Sequence, residues 1–186
     1  MTPDQLMDEA ARPRAPDFPE LTPAQAAHGA HLAAIHDLYR AELAQVADLL
    51  ARIRAGGAGP AALADALDGS RMARNLALFG TVCGRQCALL KNHHDIEERW
   101  MFPAIAEHAS PGVQRVLDRL IAEHRLIHDL IRALHRAATA LARDPTPGHL
   151  DACAAGFADL DRAIRSHFGY EETQLQAPLG AYGIPI

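Results

Sequence analysis

Apolar residues in this chain recur every three or four positions over four long stretches, and proline or glycine separates one stretch from the next. The first begins at Thr22-Pro23, a good N-cap followed by proline at the first helical position. It runs through Leu32, Ile35, Tyr39, Leu43, Val46, Leu50 and Ile53 before Gly56-Gly57 stops it. A short helical piece is expected near Ala61 to Leu67. The second long stripe starts around Ser70, carries Leu76, Phe79, Cys83, Gln86, Leu90, His93 and Glu97, and is interrupted at Pro103. Ser110-Pro111 opens the third, with Val113, Leu117, Leu120, His124, Ile127, Ile131 and Leu134, and DPTPG at 144–148 breaks it. The fourth holds Leu150, Cys153, Phe157, Leu160, Ile164, His167 and Glu171 and is expected to end before Pro178. Four amphipathic segments joined by short breaks predict an all-α fold, an antiparallel up-down four-helix bundle.

Residues 1–21 contain Pro3, Pro13, Pro16 and Pro19 and are read as a flexible, proline-rich N-terminal arm. The bundle then occupies 22–178, with a C-terminal tail at 179–186.

Composition narrows the function. The chain has 186 residues, 49% of them hydrophobic, which suits one domain with a real core. Eighteen Lys and Arg against 23 Asp and Glu give a net charge of −5, so there is no basic footprint for nucleic acid or an anionic membrane. No apolar run approaches the roughly 20 residues of a membrane span, and the N-terminus lacks the apolar centre of a signal peptide. A cytoplasmic location is the expectation. Three cysteines without framework spacing argue against structural disulfides; Cys83 and Cys87, one helical turn apart, read as reduced and at least partly buried thiols. Histidine is the outlier, at 11 residues.

Those histidines enter the apolar stripes in phase: Leu90 leads to His93, Leu120 to His124, Ile164 to His167. A buried ionisable group is costly without a partner, and several facing one axis need a shared one, which a metal ion supplies. His93 with Glu97, and His124 with His128, are i, i+4 pairs that project from one helix face. Counting about 1.5 Å per residue from the turns puts Glu97, His124 and His167 at one depth.

The segments HDLYRAELAQV (36–46), HHDIEERWMFP (93–103), EHRLIHDLI (123–131) and HFGYEETQL (167–175) together resemble the hemerythrin-like proteins, the HHE cation-binding domain. The resemblance covers roughly residues 25 to 178. It implies a four-helix bundle holding two iron ions, bridged by two carboxylates and an oxo or hydroxo group, with histidines completing the shells. Matched residue by residue, it implies His36, His93, Glu97, His124, His128 and His167 as ligands. For the second bridging carboxylate Glu171 is preferred, because it shares the stripe of Ile164 and His167, while Glu172 remains the alternative at the family's longer spacing. In the first helix the resemblance favours His36 over the nearby His28 and His31.

Other polar residues have plainer readings. His94 and Glu98 form a competing i, i+4 register rotated off the stripe, and His94 is read as solvent-facing or as a support for the ligands. His108, His135 and His149 are expected on the surface, Trp100 and Met101 in core packing, and Tyr39 and Tyr170 in the core or an interface. Two octahedral ions offer about twelve positions, and the implied ligands leave about one open. That opening implies a partner such as O2, NO or peroxide, bound or sensed reversibly or, in the alternative reading, consumed by a di-iron oxidoreductase. Zinc is expected to fit the same donors adventitiously. A third reading, a metal-free interaction bundle, predicts that replacing His93 or Glu97 leaves stability unchanged or improved. Nothing in the sequence points to a protein partner.

Overall fold

The computed structural model describes residues 1–56 and 85–186, with side chains described for 1–56 and 90–186. The expected Ala61 to Leu67 helix, the start of the second long helix with Leu76, Phe79 and Cys83, and the side chains of Gln86 and Cys87 lie outside them. All regular structure among the described residues is helical. It comprises α1 (Pro3–Met7), a 3-10 turn (Glu9–Ala11), α2 (Pro23–Gly29), α3 (His31–Gly56), α4 (Arg85–Ile96), a π-turn (Glu97–Met101), α5 (Phe102–Ala106), α6 (Pro111–Arg143) and α7 (Pro147–Tyr182).

The starts follow the predicted chemistry. Thr22 caps α2 in a capping box with Gln25, with Pro23 beside it in the first turn. The Ser110 hydroxyl accepts the Val113 N–H at the head of α6. The end of α7 differs from expectation, because the helix continues through Pro178 to Tyr182. Its stop signal is Gly183, at φ +64°, beyond which Ile184 N–H bonds back to the Leu179 carbonyl. That left-handed glycine closes the helix, whereas Pro178 lies within it and does not end it.

Two compact units can be distinguished. The first comprises Met1–Leu38, Asn92–Leu126 and Ala163–Ile186. Its apolar cluster includes Leu32, Met101, Phe102, Ile105, Leu117, Leu120 and Leu175. Here α2 lies against the end of α7 so closely that a Cβ on Gly29 would stand 2.1 Å from the Gln176 carbonyl oxygen, and one on Gly180 2.3 Å from that of Gln25. Only glycine permits either approach.

The N-terminal residues are not loose. Thr2 caps α1, Leu6 is wholly buried and Arg12 is 7% exposed. Tyr170 donates its hydroxyl proton to the Pro13 carbonyl at 2.7 Å, and Ala15 N–H bonds to the Gln174 side chain at 2.7 Å. The prolines do prevent a long helix, as predicted. They leave room for two short capped turns and an extended run, in which the Pro13 carbonyl and the Ala15 N–H find partners on α7.

The second unit comprises Tyr39–Lys91 and Ile127–Arg162. Its described core is apolar: Leu43, Val46, Leu50, Ile53, Leu90, Leu134, Leu141, Phe157 and Leu160 among others. Cys153 is also buried there as a free thiol, and burial pushes its pKa up to about 11.

Candidate metal centre

The site lies within the first unit, and four helices supply it. α3 contributes His36; α4 and the π-turn contribute His93, His94, Glu97 and Glu98; α6 contributes Glu123 and His124; α7 contributes His167, Glu171 and Glu172. His36, His94, Glu123, His124, His167 and Glu171 are wholly buried; His93 and Glu97 nearly so.

Two groups of potential ligand atoms form, each within 4.8 Å. One is His36, His93, Glu97 and Glu171, the other His94, His124 and His167. The two carboxylates lie between them. Glu97 has Oε1 2.9 Å from His93 Nε2 and Oε2 3.4 Å from His124 Nε2. Glu171 Oε2 is 3.6 Å from His36 Nε2 and 3.5 Å from His167 Nε2.

Three further carboxylates, behind the rings, fix the orientation of three histidines. His36 Nδ1 lies 2.8 Å from Glu172 Oε1, His124 Nδ1 2.8 Å from Glu98 Oε1, and His167 Nδ1 3.1 Å from Glu123 Oε2. A carboxylate only accepts, so in each neutral ring the proton sits on Nδ1 and a lone pair on Nε2. The consequence is sharpest where His124 and His167 meet, with Nε2 atoms 3.1 Å apart. That distance suits a hydrogen bond, yet both protons are on the far side. Neither ring gains one easily, since burial lowers the pKa of His124 and brings that of His167 to about 4, against the pull of their carboxylates. Two lone pairs aimed at each other in a dry core are stable when a cation lies between them.

The inner carboxylates repeat the signal. Neither oxygen of Glu97 or Glu171 has a hydrogen-bond partner of good geometry. Burial, with each carboxylate facing the other's charge, drives the Glu171 pKa well above the ordinary carboxylate range, and burial does the same to Glu97. A cation is the group that would let both stay ionised. Imidazole nitrogens mixed with carboxylate oxygens suit iron or zinc, not the all-oxygen shells of calcium or magnesium.

The segment that supplies more of these residues than any other is locally distorted. At Glu97–Met101 the hydrogen bonding widens to a π-turn, so that Phe102 N–H reaches the Glu97 carbonyl. Such turns are rare and cluster at functional sites. The widened turn brings Met101 and Phe102 inward after Glu97 and swings Trp100 outward, where it is 73% exposed. Trp100 therefore is not core packing; regular helical spacing projected it inward, and the π-turn changes the phase. Met101 is buried as expected.

Of the residues singled out from sequence, the structure gathers His36, His93, Glu97, His124, His167 and Glu171. Glu172 is held outside as the partner of His36, and its side chain is 23% exposed. His28 bonds to the Ile184 carbonyl at 2.6 Å, and His31 is exposed. His128 is not brought into either group. It is half-buried, one turn beyond His124, and belongs to the second unit. His94 stands in the cluster instead, stacked on His124 with ring centroids 3.9 Å apart. Adjacent residues on a helix point about 100° apart. With two donor groups side by side, His93 joins one and His94 the other, and the doubled histidine was the signal for it.

Sequence reasoning also passed over Glu123 and Arg12. Arg12 binds Glu123 with two nitrogens, Nε–Oε1 at 2.9 Å and Nη2–Oε2 at 3.0 Å, and Arg119 Nε adds a contact at 2.7 Å. Burial alone would raise the Glu123 pKa, but hydrogen bonds from His167 and Arg12 outweigh it and the net shift is downward. Glu123 lies three residues after Leu120 on the inward face. An inward acid there called for a cationic partner, but nothing in the sequence indicated Arg12.

Among the described residues no helix is long and apolar enough to cross a membrane. Neither a curated protein nor a solved structure matches this chain. Residues 26–179 match the family model of the Hemerythrin HHE cation binding domain, which spans all four helices that supply these ligands. On that match, with the His and Glu clusters in a helical bundle, the chain belongs to the hemerythrin HHE cation-binding domain family.

Proposed function

We propose that the chain is a non-haem di-iron protein that binds or senses O2, or a related small molecule such as NO or peroxide, at an open iron position. The facing Nε2 lone pairs of His124 and His167 carry this reading, because their orientation makes sense only around a cation. In it His36 and His93 hold one ion, His94, His124 and His167 hold the other, and Glu97 and Glu171 are shared. The side chains then offer five nitrogens and four carboxylate oxygens toward about twelve octahedral positions. The shortfall is greater on the side of His36 and His93, which is where an external molecule finds room. Iron, when bound, supplies reversible redox chemistry toward that molecule.

This chain's own residues favour binding over turnover. General acid catalysis needs a proton donor within reach of the bound molecule. Tyr170, next to Glu171 on the helix that also carries His167, gives its hydroxyl proton to the Pro13 carbonyl. Burial raises its pKa further, so it holds that proton tightly. The second reading, a di-iron oxidoreductase consuming peroxide or NO, rests on the same metal donors.

Metal analysis with an absorption spectrum, before and after anaerobic reduction and readmission of O2, tests both. The binding reading expects about two irons per chain and near-ultraviolet absorption that bleaches on reduction. With O2 it should return as a spectrum distinct from the oxidised form. Direct return to the oxidised spectrum with catalytic loss of peroxide would favour the oxidoreductase. A chain that takes up no iron, or a single zinc, would overturn the di-iron reading.

A further inference from the structure

The three carboxylates that stand behind the ligand histidines and orient them are unequal. Glu98 and Glu172 have side chains 37% and 23% exposed, whereas Glu123 is wholly buried. Glu123 is clamped by Arg12, 111 residues earlier, which binds both its oxygens. The guanidinium is fixed in turn. Its Nη1 bonds to Ser166 Oγ at 3.0 Å, it lies 4.6 Å from the centroid of the Tyr170 ring, and the Tyr170 hydroxyl holds the next residue, Pro13. A chain of directed contacts therefore runs from the N-terminal segment through Arg12 and Glu123 to His167 Nδ1.

We propose that Arg12 is a positioning residue for one of the two metal positions. By clamping Glu123 it holds His167 with Nε2 facing inward, so that the N-terminal segment sets the affinity of the position formed by His94, His124 and His167, and not of its neighbour. The proposal rests on the two-ion reading above. Its physical basis is that a buried carboxylate with two-pronged arginine contacts has one orientation, and a ring hydrogen-bonded to it has one tautomer and one rotation. Without Arg12, Glu123 keeps Arg119 at one edge and is free to turn away from His167. The ring of His36, in the neighbouring position, is oriented by Glu172 instead.

The test compares wild type with Arg12→Gln and Arg12→Lys in the full chain. Cobalt(II) is the probe, with its binding followed by absorption and its release by a competing chelator. Arg12→Gln should bind one ion about ten- to a hundredfold more weakly and leave the other near wild type, as loss of a ligand's supporting hydrogen bond does. Arg12→Lys, which keeps the charge but not the two-pronged geometry, should fall between, and it carries the test if Arg12→Gln does not fold. Nitrogen NMR of the histidine rings in metal-free protein gives a readout independent of metal. It should find His167 protonated on Nδ1 in wild type and as mixed tautomers in Arg12→Gln. Unchanged binding of both ions with an unchanged His167 tautomer would overturn the proposal, as would equal weakening of both ions. If wild type itself binds fewer than two ions, the two-ion reading fails, and the tautomer result alone decides whether Arg12 positions His167.

Discussion

Followed from Val113 to Arg143, the inward residues of α6 change character partway. Up to Leu126, in the first unit, they include Glu123 and His124, both wholly buried; from Ile127 onward, in the second, they are Ile127, Leu134, Ala138 and Leu141. α7 shows the same change in reverse order, with Phe157 and Leu160 in the second unit and His167 and Glu171 in the first. The helical period does not register the difference, since inward positions recur at the same spacing in both. The energetics do. Each large apolar side chain buried in the second unit contributes on the order of 1.5–3 kcal/mol. The ionisable groups in the first cost free energy unless a cation satisfies them. One helix thus combines a segment that stabilises by itself with one that needs a ligand.

The strongest way to break this comparison is to remove a shared carboxylate. Glu171→Gln should weaken binding of at least one metal ion by on the order of a hundredfold or more, measured by competition with a chromogenic chelator. Near wild-type loading of both ions would mean that the first unit's polar core has another purpose. A truncation in the second unit should act on stability alone. Phe157→Ala should cost about 3–5 kcal/mol in urea unfolding, by nearly the same amount with metal and without.

The metal-free protein should expose the cost of the polar core through pH. Burial lowers the pKa of His167 from 6.5 to about 4, so the unfolded chain binds the extra proton between those values. Its contribution is fully present above about pH 6.5 and is lost as pH falls toward 4, roughly 3 kcal/mol in all. Glu97 and Glu171 act in the opposite sense. Their folded pKa values are raised, so their contribution is present below the ordinary carboxylate range and is lost as pH rises through the raised values. The double variant Glu97→Gln/Glu171→Gln, free of metal, should therefore gain stability from pH 4 to 6.5 more steeply than wild type. At pH 8 it should be more stable by about 1–2 kcal/mol. A wild type more stable than this variant at pH 8 without metal would contradict the account.

The smallest effect concerns Cys153. In a Cys83→Ser/Cys87→Ser background its thiol should resist a disulfide reagent at pH 8 in native protein and react fully in urea, because burial holds it protonated with a pKa of about 11. Prompt native reaction would mean that the second unit opens readily.

Much of the fold was legible because amphipathic period and cap chemistry are local. Thr22-Pro23 and Ser110-Pro111 start helices as read, and the inward phase of His93, Glu97, His124, His167 and Glu171 follows from helical spacing. The failures are equally local in cause. Trp100 was misplaced because a π-turn alters the spacing that regular helix assumes. Pro178 was taken for the stop that Gly183 provides. His128 shares a face with His124 yet joins neither group, and His94 was set aside because a single stripe admits only one of two neighbours.

The sequence by itself determined the helices, the faces they bury and the presence of ionisable groups on those faces, since each depends on residues within a few turns of one another. Only the tertiary structure decided how those groups divide: which Nε2 atoms face each other, that Glu97 and Glu171 lie between two clusters, and that Glu172, Glu98 and Glu123 stand behind the rings. It also decided where the N-terminal segment packs. Arg12 reaches Glu123 across 111 residues of sequence, and no local propensity encodes a contact whose two partners are brought together by the packing of the elements between them.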